Sequence, residues 1–357
     1  MAQPTDEPRS DGVRPAGSNG TPPTQDRPGG GATQPTGIPA KGWKDVLLRV
    51  KVEAKRDNVP LLGAGVAFYA LLALVPALVA IVSIYGLVAS PADVQRQITK
   101  SLSAAPTEVR NLLQEQLTSI VQTSKGGLGI GAVIGILLAL WSASSGMNHL
   151  IAAINTAYDE EETRGFVKLR GTALVFTVGA VVGLVVAIGA IAIVPAAMRA
   201  AGVGSAGQLT VSILRWPILG GLMLVGLSAL YRYAPDRDDP QWSWVSVGSV
   251  FAVVGFIVAS GLFSVYTSNF ASFGETYGSL GSIIVVMLWL MISATVIILG
   301  AEVNAETEHQ TAHDTTEGEP EPAGERGAYV ADTAPEGEPA TDAEQKAEVA
   351  AEARREP

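Results

Sequence analysis

Six long stretches of this chain contain no charged side chain, and nothing else in the sequence limits the fold as strongly. Asp, Glu, Lys and Arg are missing between Asp57 and Asp93, Lys125 and Asp159, Arg170 and Arg199, Arg215 and Arg232, Asp239 and Glu275, and Glu275 and Glu302. Each gap holds an apolar run near the roughly 20 residues that a helix needs to cross the hydrocarbon core of a bilayer. The expected fold class is all-α: a polytopic membrane helical bundle of about six transmembrane helices with disordered N- and C-terminal tails. The spans are expected at 60–88, 127–151, 171–196, 211–231, 245–268 and 279–301.

Composition agrees, with 48% hydrophobic and 16% charged residues. The net charge of −10 belongs to one end: residues 306–357 carry 15 acidic and 4 basic side chains, so the rest of the chain is close to neutral. The acidic balance therefore does not point to a basic ligand. There are no cysteines, which excludes disulfides, iron–sulfur clusters and thiolate zinc sites. The first 40 residues are rich in Pro, Gly, Thr and Gln and have no apolar core of the kind a signal peptide carries. The first span is thus expected to serve as an uncleaved insertion signal.

The domain plan follows. Residues 1–40 and 306–357 have too few large apolar side chains to offset the entropy of ordering and are expected to be disordered cytoplasmic tails. Residues 41–58 read as a basic amphipathic approach helix with Trp43, Val46, Leu47 and Val50 on its apolar side. Residues 59–305 form the six-helix transmembrane domain. Its long outside loop, 91–125, shows helical spacing of apolar residues on either side of Pro106 and predicts two short amphipathic helices. With the N-terminus inside, the cytoplasmic flanks carry eleven Lys and Arg and the outside loops six. That asymmetry predicts a multi-pass protein with both termini cytoplasmic.

Six blocks in one order carry a family resemblance: Val66 to Pro76, Trp141 to Asn148 with Asn155 to Tyr158 and Arg164, Tyr231 to Pro235, Tyr266 to Phe270, Tyr277 to Gly281, and Gly300 to Asn304. Together, over residues 43–305, they resemble the YihY/BrkB family of bacterial inner-membrane proteins, formerly labelled ribonuclease BN. The resemblance implies a six-helix inner-membrane fold and a role in handling or exporting an envelope lipid, with the ribonuclease label mistaken. Val247-Gly248 stands where the family pattern has Pro before the glycine, a detail of one helix start.

Little here resembles catalytic machinery. His309 and His313 have helical metal-ligand spacing but sit in the acidic tail, where a solvated surface is expected. His149 reads as an interface histidine. The run Gly127 to Ala132 fits a dinucleotide fingerprint by letter only, because the strand and βαβ unit that the fingerprint requires are missing. Gly127, Gly131 and Gly135 read instead as a small-residue helix contact. No P-loop motif is present, so no nucleotide-driven motor is expected.

Polar residues aligned on single faces of apolar helices are more informative, because lone polar groups in lipid are costly and point into the bundle. On a helical wheel, Tyr69, Pro76 and Ser83 share a face of the first span, and Trp141, Ser144, Asn148 and Asn155 one of the second. Ser282, Trp289, Ser293 and Asn304 share a face of the sixth. Two readings stand: these faces pack closely, or they line a polar seam open toward the cytoplasm, with Tyr69, Pro76, Ser144, Asn148, Asn155, Ser293 and Asn304 as its residues and Pro76 marking a kink. Arg232 is a candidate contact for lipid phosphate or a topology anchor. Arg215 reads as snorkelling and Glu302 as solvated at the interface.

The expected function is transport or flipping of a lipid or other amphiphile across the envelope without its own nucleotide-driven motor. The alternative is a non-catalytic scaffold for an envelope or division partner. No enzyme activity, cofactor or catalytic residue is expected. The partners expected are membrane lipids and an envelope protein, with no nucleic acid.

Overall fold

The computed structural model describes residues 25–86, 130–269 and 280–335. The loop 91–125 and the glycines at 127 and 278 lie outside the described residues. The main elements are α1 (Ala40–Arg56), α2 (Val59–Gly86), α3 (Ile130–Ala157), α4 (Phe166–Ile188), α5 (Val194–Ala200), α6 (Ser205–Tyr233), α7 (Trp242–Asn269), α8 (Leu280–Glu308) and the short α9 (Tyr329–Asp332). Among the described residues five helices are long and apolar enough to cross a membrane, and α1 with α2, bent by 61° at their junction, brings the number to six. Helices α2, α3, α6, α7 and α8 overlap the expected first, second, fourth, fifth and sixth spans, and the third is divided between α4 and α5.

Local chemistry explains the breaks. Lys55 and Arg56 occupy the last turn of α1, where cations favour the negative end of the helix dipole. Asn58 follows at φ 52°, a left-handed conformation that asparagine tolerates better than most side chains. Pro60 then falls in the first turn of α2, where its missing N–H has no intrahelical partner to lose. The chain bends by 61° at this junction, and α2 continues as helix past Pro76, whose side chain lies outside the described residues. Between α4 and α5 the chain widens into a π turn, Gly189–Ile193. Pro195 has no N–H to offer the carbonyl of Ile191 one turn back, and Arg215 Nη1 approaches that oxygen at 3.5 Å.

Helix α2 packs between α3 and α8, α7 lies against α8 and α6, and α4 covers α3. The fully buried side chains gather at one end of the bundle: Val59, Ile151, Ile154, Tyr158, Tyr231, Val245 and Ile298. Toward the other end large apolar residues such as Leu214, Trp216, Ile218, Ile257 and Leu262 are exposed. Such a surface suits hydrocarbon and not water.

The buried end also carries both described terminal segments, and here the expectation of disordered tails is corrected for residues 25–39 and 309–335. Ala32 and Ile38 are buried with Trp244. Arg27 Nη1 donates to the carbonyl of His309 at 2.9 Å, and Gln310 Nε2 to that of Pro28 at 2.7 Å. Arg326 donates to the carbonyls of Ala331, Ala312 and Glu321, while Val330 enters the main core. Low apolar content misleads here because long polar side chains satisfy backbone carbonyls in place of an apolar core.

Candidate functional site

Helices α2, α3 and α8 pack on one another, but the polar face of α8 turns toward α7, where Trp289 meets Phe256 and Ser260. Tyr69 of α2 stacks on His149 of α3 with ring centroids 3.5 Å apart. Gly146 faces the backbone of Ala70, and Gly63 faces Thr295, so these small residues let α2 approach both neighbours. Ser144 and Ser293 donate back to their own helices, to the carbonyls of Trp141 and Trp289, each at 2.7 Å. Asn148 is half-buried on α3.

Asn304 turns away from α2. Its Oδ1 accepts the amide of Gly248 at 2.6 Å and its Nδ2 donates to the carbonyl of Val245 at 3.2 Å, joining α8 to the start of α7. Gly248 and Gly300 lie against each other's carbonyls there, and a Cβ at either would overlap them. Asn155 likewise serves a loop: Nδ2 donates to Glu162 at 3.0 Å and Oδ1 accepts the amide of Asp236. Arg164 ties the same loop together, bonding Glu162 at 2.6 Å and Asp236 at 3.4 Å.

Charge is concentrated at this end. Arg237 and Glu308 pair at 2.7 Å with neither side chain exposed, and the guanidinium lies 5.0 Å from the centre of the Tyr158 ring. Burial opposes the charge on Arg237, but the adjacent Glu308 carboxylate overrides it and holds the guanidinium above its ordinary pKa. Glu160 accepts the amide of Tyr329 at 2.8 Å, and burial pushes its carboxyl up to about 7 against the opposing pull of Arg237. Arg232 is buried between Tyr233 and Trp242, pairs with Glu317 and donates to the carbonyl of Pro240. Its guanidinium is thus engaged by protein groups, which leaves the lipid-phosphate role without support.

Glu302 corrects another expectation: it is 1% exposed, not solvated. It belongs to a carboxyl cluster with Asp57 at the α1–α2 junction, Asp159 after α3, and Glu306 one turn on. Just outside this junction lies a groove of 360 Å³. Lys55 and Asn58 form its polar side, and Val59, Pro60 and Leu299 its apolar side. A second groove, of 500 Å³, lies between α7 and α8 and is lined by residues such as Leu262, Phe263 and Leu288.

A family model described as Virulence factor BrkB matches residues 50–325, which takes in α2 to α8 and most of the ordered C-terminal segment. The chain belongs to the BrkB family. This BrkB-family chain is an integral membrane protein. It is 36% identical over 251 residues to the Bacillus subtilis (strain 168) protein YfkH, whose name carries the words ribonuclease-like, covering 68% of this chain and 87% of that one. It is 26% identical to a UPF0761 membrane protein of Tolumonas auensis, covering 70% and 80% of the two chains. For one of Psychromonas ingrahamii it is 25%, covering 73% and 87%. No solved structure matches.

Sequence reasoning missed the most densely charged part of the BrkB-family fold. Asp57, Asp159 and Glu302 each stand at the edge of a charge-free run, where a carboxylate reads as an interface group, and Glu308 falls in the acidic tail beyond. The available signal was the residue type at the breaks. Asn58 and Asp159 are among the few side chains that tolerate positive φ, and both adopt it, where the chain turns after α1 and after α3.

Proposed function

We propose that this chain moves an amphiphile between the leaflets of the bacterial inner membrane, with the groove at the α1–α2 junction as the place where the headgroup engages. The observation that carries the reading is the pairing of Lys55 and Asn58 with Val59, Pro60 and Leu299 around 360 Å³ of open space at one end of the bundle. A cation and an amide beside an apolar wall match a lipid, whose headgroup seeks polar partners while its chains remain in hydrocarbon. The closed packing of α2 on α3 and α8 then corresponds to a resting arrangement with no continuous path. Both described ends lie on one face of the bundle, which fits an even number of crossings. Together with the Lys and Arg asymmetry, this supports cytoplasmic termini.

The test is lipid transfer in vesicles of phosphatidylglycerol and phosphatidylethanolamine containing the purified full chain. Wild type is expected to move a fluorescent anionic lipid faster than protein-free vesicles, and Lys55→Glu to slow it while leaving the melting temperature unchanged. No transfer of any bacterial phospholipid by wild type would remove the reading.

The scaffold reading has its own support in the ordered cap of residues 25–39 and 309–335, which presents a defined surface for a protein partner. It predicts a partner captured in stoichiometric amount by wild type and lost when residues 309–335 are deleted. We also propose that the chain is non-catalytic. RNA cleavage that persists through repurification and vanishes on His149→Ala would contradict this.

A further inference from the structure

The exposed apolar surface of α3 ends at one level. Leu137, Leu138 and Trp141 are exposed, and past Trp141 no large apolar side chain of α3 is. Beyond it α3 runs on to Ala157 inside the capped end, where Ile151, Ile154 and Ala157 are buried. The apolar surface of α4 starts beside Trp141, with Phe166 and Val167 both exposed. The rings of Trp141 and Phe166 lie 6.2 Å apart across the two helices. An exposed indole at the rim of an apolar surface marks the headgroup level of a bilayer, where its ring and its N–H each find a suitable neighbour.

Arg170, one turn into α4, reaches across to this rim. Its Nη2 donates to the carbonyl of Trp141 at 2.5 Å and to Ser145 Oγ at 3.3 Å, and Cζ lies 4.5 Å from the centre of the Trp141 ring. All three contacts are with neutral groups, and among the described residues no carboxylate pairs with Arg170. Nε is buried without a partner, and Nη1, which is not enclosed, bonds no protein group either. Other arginines toward this end are compensated: Arg49 pairs with Glu306, Arg164 with Glu162, Arg232 with Glu317 and Arg237 with Glu308. The first turn of α4 has no acidic side chain and Gly165 gives it no side-chain cap, so the helix start adds positive potential. Arg170 is therefore a permanent cation at the edge of hydrocarbon with no counter-charge from the protein.

We propose that Arg170, Trp141 and Phe166 bind the headgroup of an anionic glycerophospholipid in the leaflet beside the capped end. Nη1 donates to a phosphate oxygen, the two rings wall the headgroup on the hydrocarbon side, and the acyl chains lie along Leu137 and Leu138. An anionic lipid supplies the missing counter-charge, whereas a zwitterionic headgroup brings an ammonium of its own and leaves the guanidinium uncompensated. A lipid held here touches both α3 and α4 and so ties them together. The site is separate from the groove at the α1–α2 junction, which is lined by Ala54 to Pro60 and by Thr295 and Leu299 of α8. It does not rest on the transport reading, because a lipid can be bound without being moved.

The test uses the full chain purified in an uncharged detergent, with phosphatidylglycerol, phosphatidylcholine or inorganic phosphate added. Native mass spectra should show wild type retaining phosphatidylglycerol in preference to phosphatidylcholine. Phosphatidylglycerol should also raise the melting temperature, as a ligand of the folded state does. Arg170→Gln should weaken its retention about tenfold, the scale of one lost charge-assisted contact, and remove the thermal shift. Lys168→Gln deletes an exposed cation roughly 200° around α4 from Arg170 and should change neither readout. If Arg170→Gln does not fold, Trp141→Leu takes its place: it keeps the guanidinium and the carbonyl, removes the ring, and should weaken retention as well. Equal retention of the two lipids by wild type would overturn the site. So would retention unchanged in Arg170→Gln, or in Trp141→Leu where that variant stands in for it, or an equal loss in Lys168→Gln. A thermal shift from inorganic phosphate as large as that from phosphatidylglycerol would overturn the lipid assignment in favour of a free anion.

Discussion

Arg237 and Glu308, 71 residues apart, meet at 2.7 Å with no solvent on either side chain, and Thr315 Oγ1 completes the carboxylate's shell at 2.8 Å. Removing one member leaves the other as an uncompensated buried charge, a change that costs roughly 3–5 kcal/mol. Arg237→Met and Glu308→Leu are each expected to lower the melting temperature in detergent sharply. The double variant Arg237→Met with Glu308→Leu should recover much of the loss. If the double variant is as unstable as the sum of the singles, the pair is not acting as a charge-compensated unit.

Asn304 bridges α8 to α7 through two hydrogen bonds to backbone. Asn304→Leu removes both of these interhelical bonds, for an expected loss of about 1–3 kcal/mol. Ser293→Ala, which deletes only a bond to its own helix, should be near neutral. Equal effects of the two substitutions on thermal unfolding would mean that the interhelical bond carries no special weight.

The Glu160 carboxyl sits up to about 7, above its ordinary value near 4.5, so the folded state holds more protons than the unfolded chain between those two pH values. Stability from this group is therefore fully present below about 4.5 and declines as pH rises through 7. The segment around Tyr329, which donates its amide to Glu160, should be better protected from protease at pH 5.5 than at pH 8. Glu160→Gln, which cannot ionise, should flatten that dependence and serves as the control for the protease's own pH profile. A dependence unchanged in the variant would assign it to another group.

Topology can be read with reporters placed between or at the ends of the spanning helices. Fusions after residues 164 and 238 are expected to report the cytoplasm and a fusion after residue 205 the outside, following the Lys and Arg distribution. Any one of the three reporting the opposite side would invert or break the proposed crossing order.

Sequence by itself determined which segments lie in hydrocarbon, because a bilayer penalises charge at every position of a span and so writes its thickness into the chain as charge-free runs. It also determined that a helix precedes the first span with Trp43, Val46, Leu47 and Val50 on its apolar side, of which the fold buries Val46 and Val50 and exposes Leu47. The wheel faces showed that α2, α3 and α8 each offer a side rich in small and polar residues, and these helices do pack together. Only the tertiary structure decided what each polar group meets. Asn304 faces α7 and not α2, Arg232 faces Glu317 and not lipid, and Glu302 is buried and not solvated. The ordering of the terminal segments was equally hidden, because it depends on pairs such as Arg27 and the His309 carbonyl, 282 residues apart. A periodic pattern records whether a position prefers lipid, protein or water. It cannot name the distant carbonyl or carboxylate that satisfies a polar side chain, because that partner is brought near only when the helices pack.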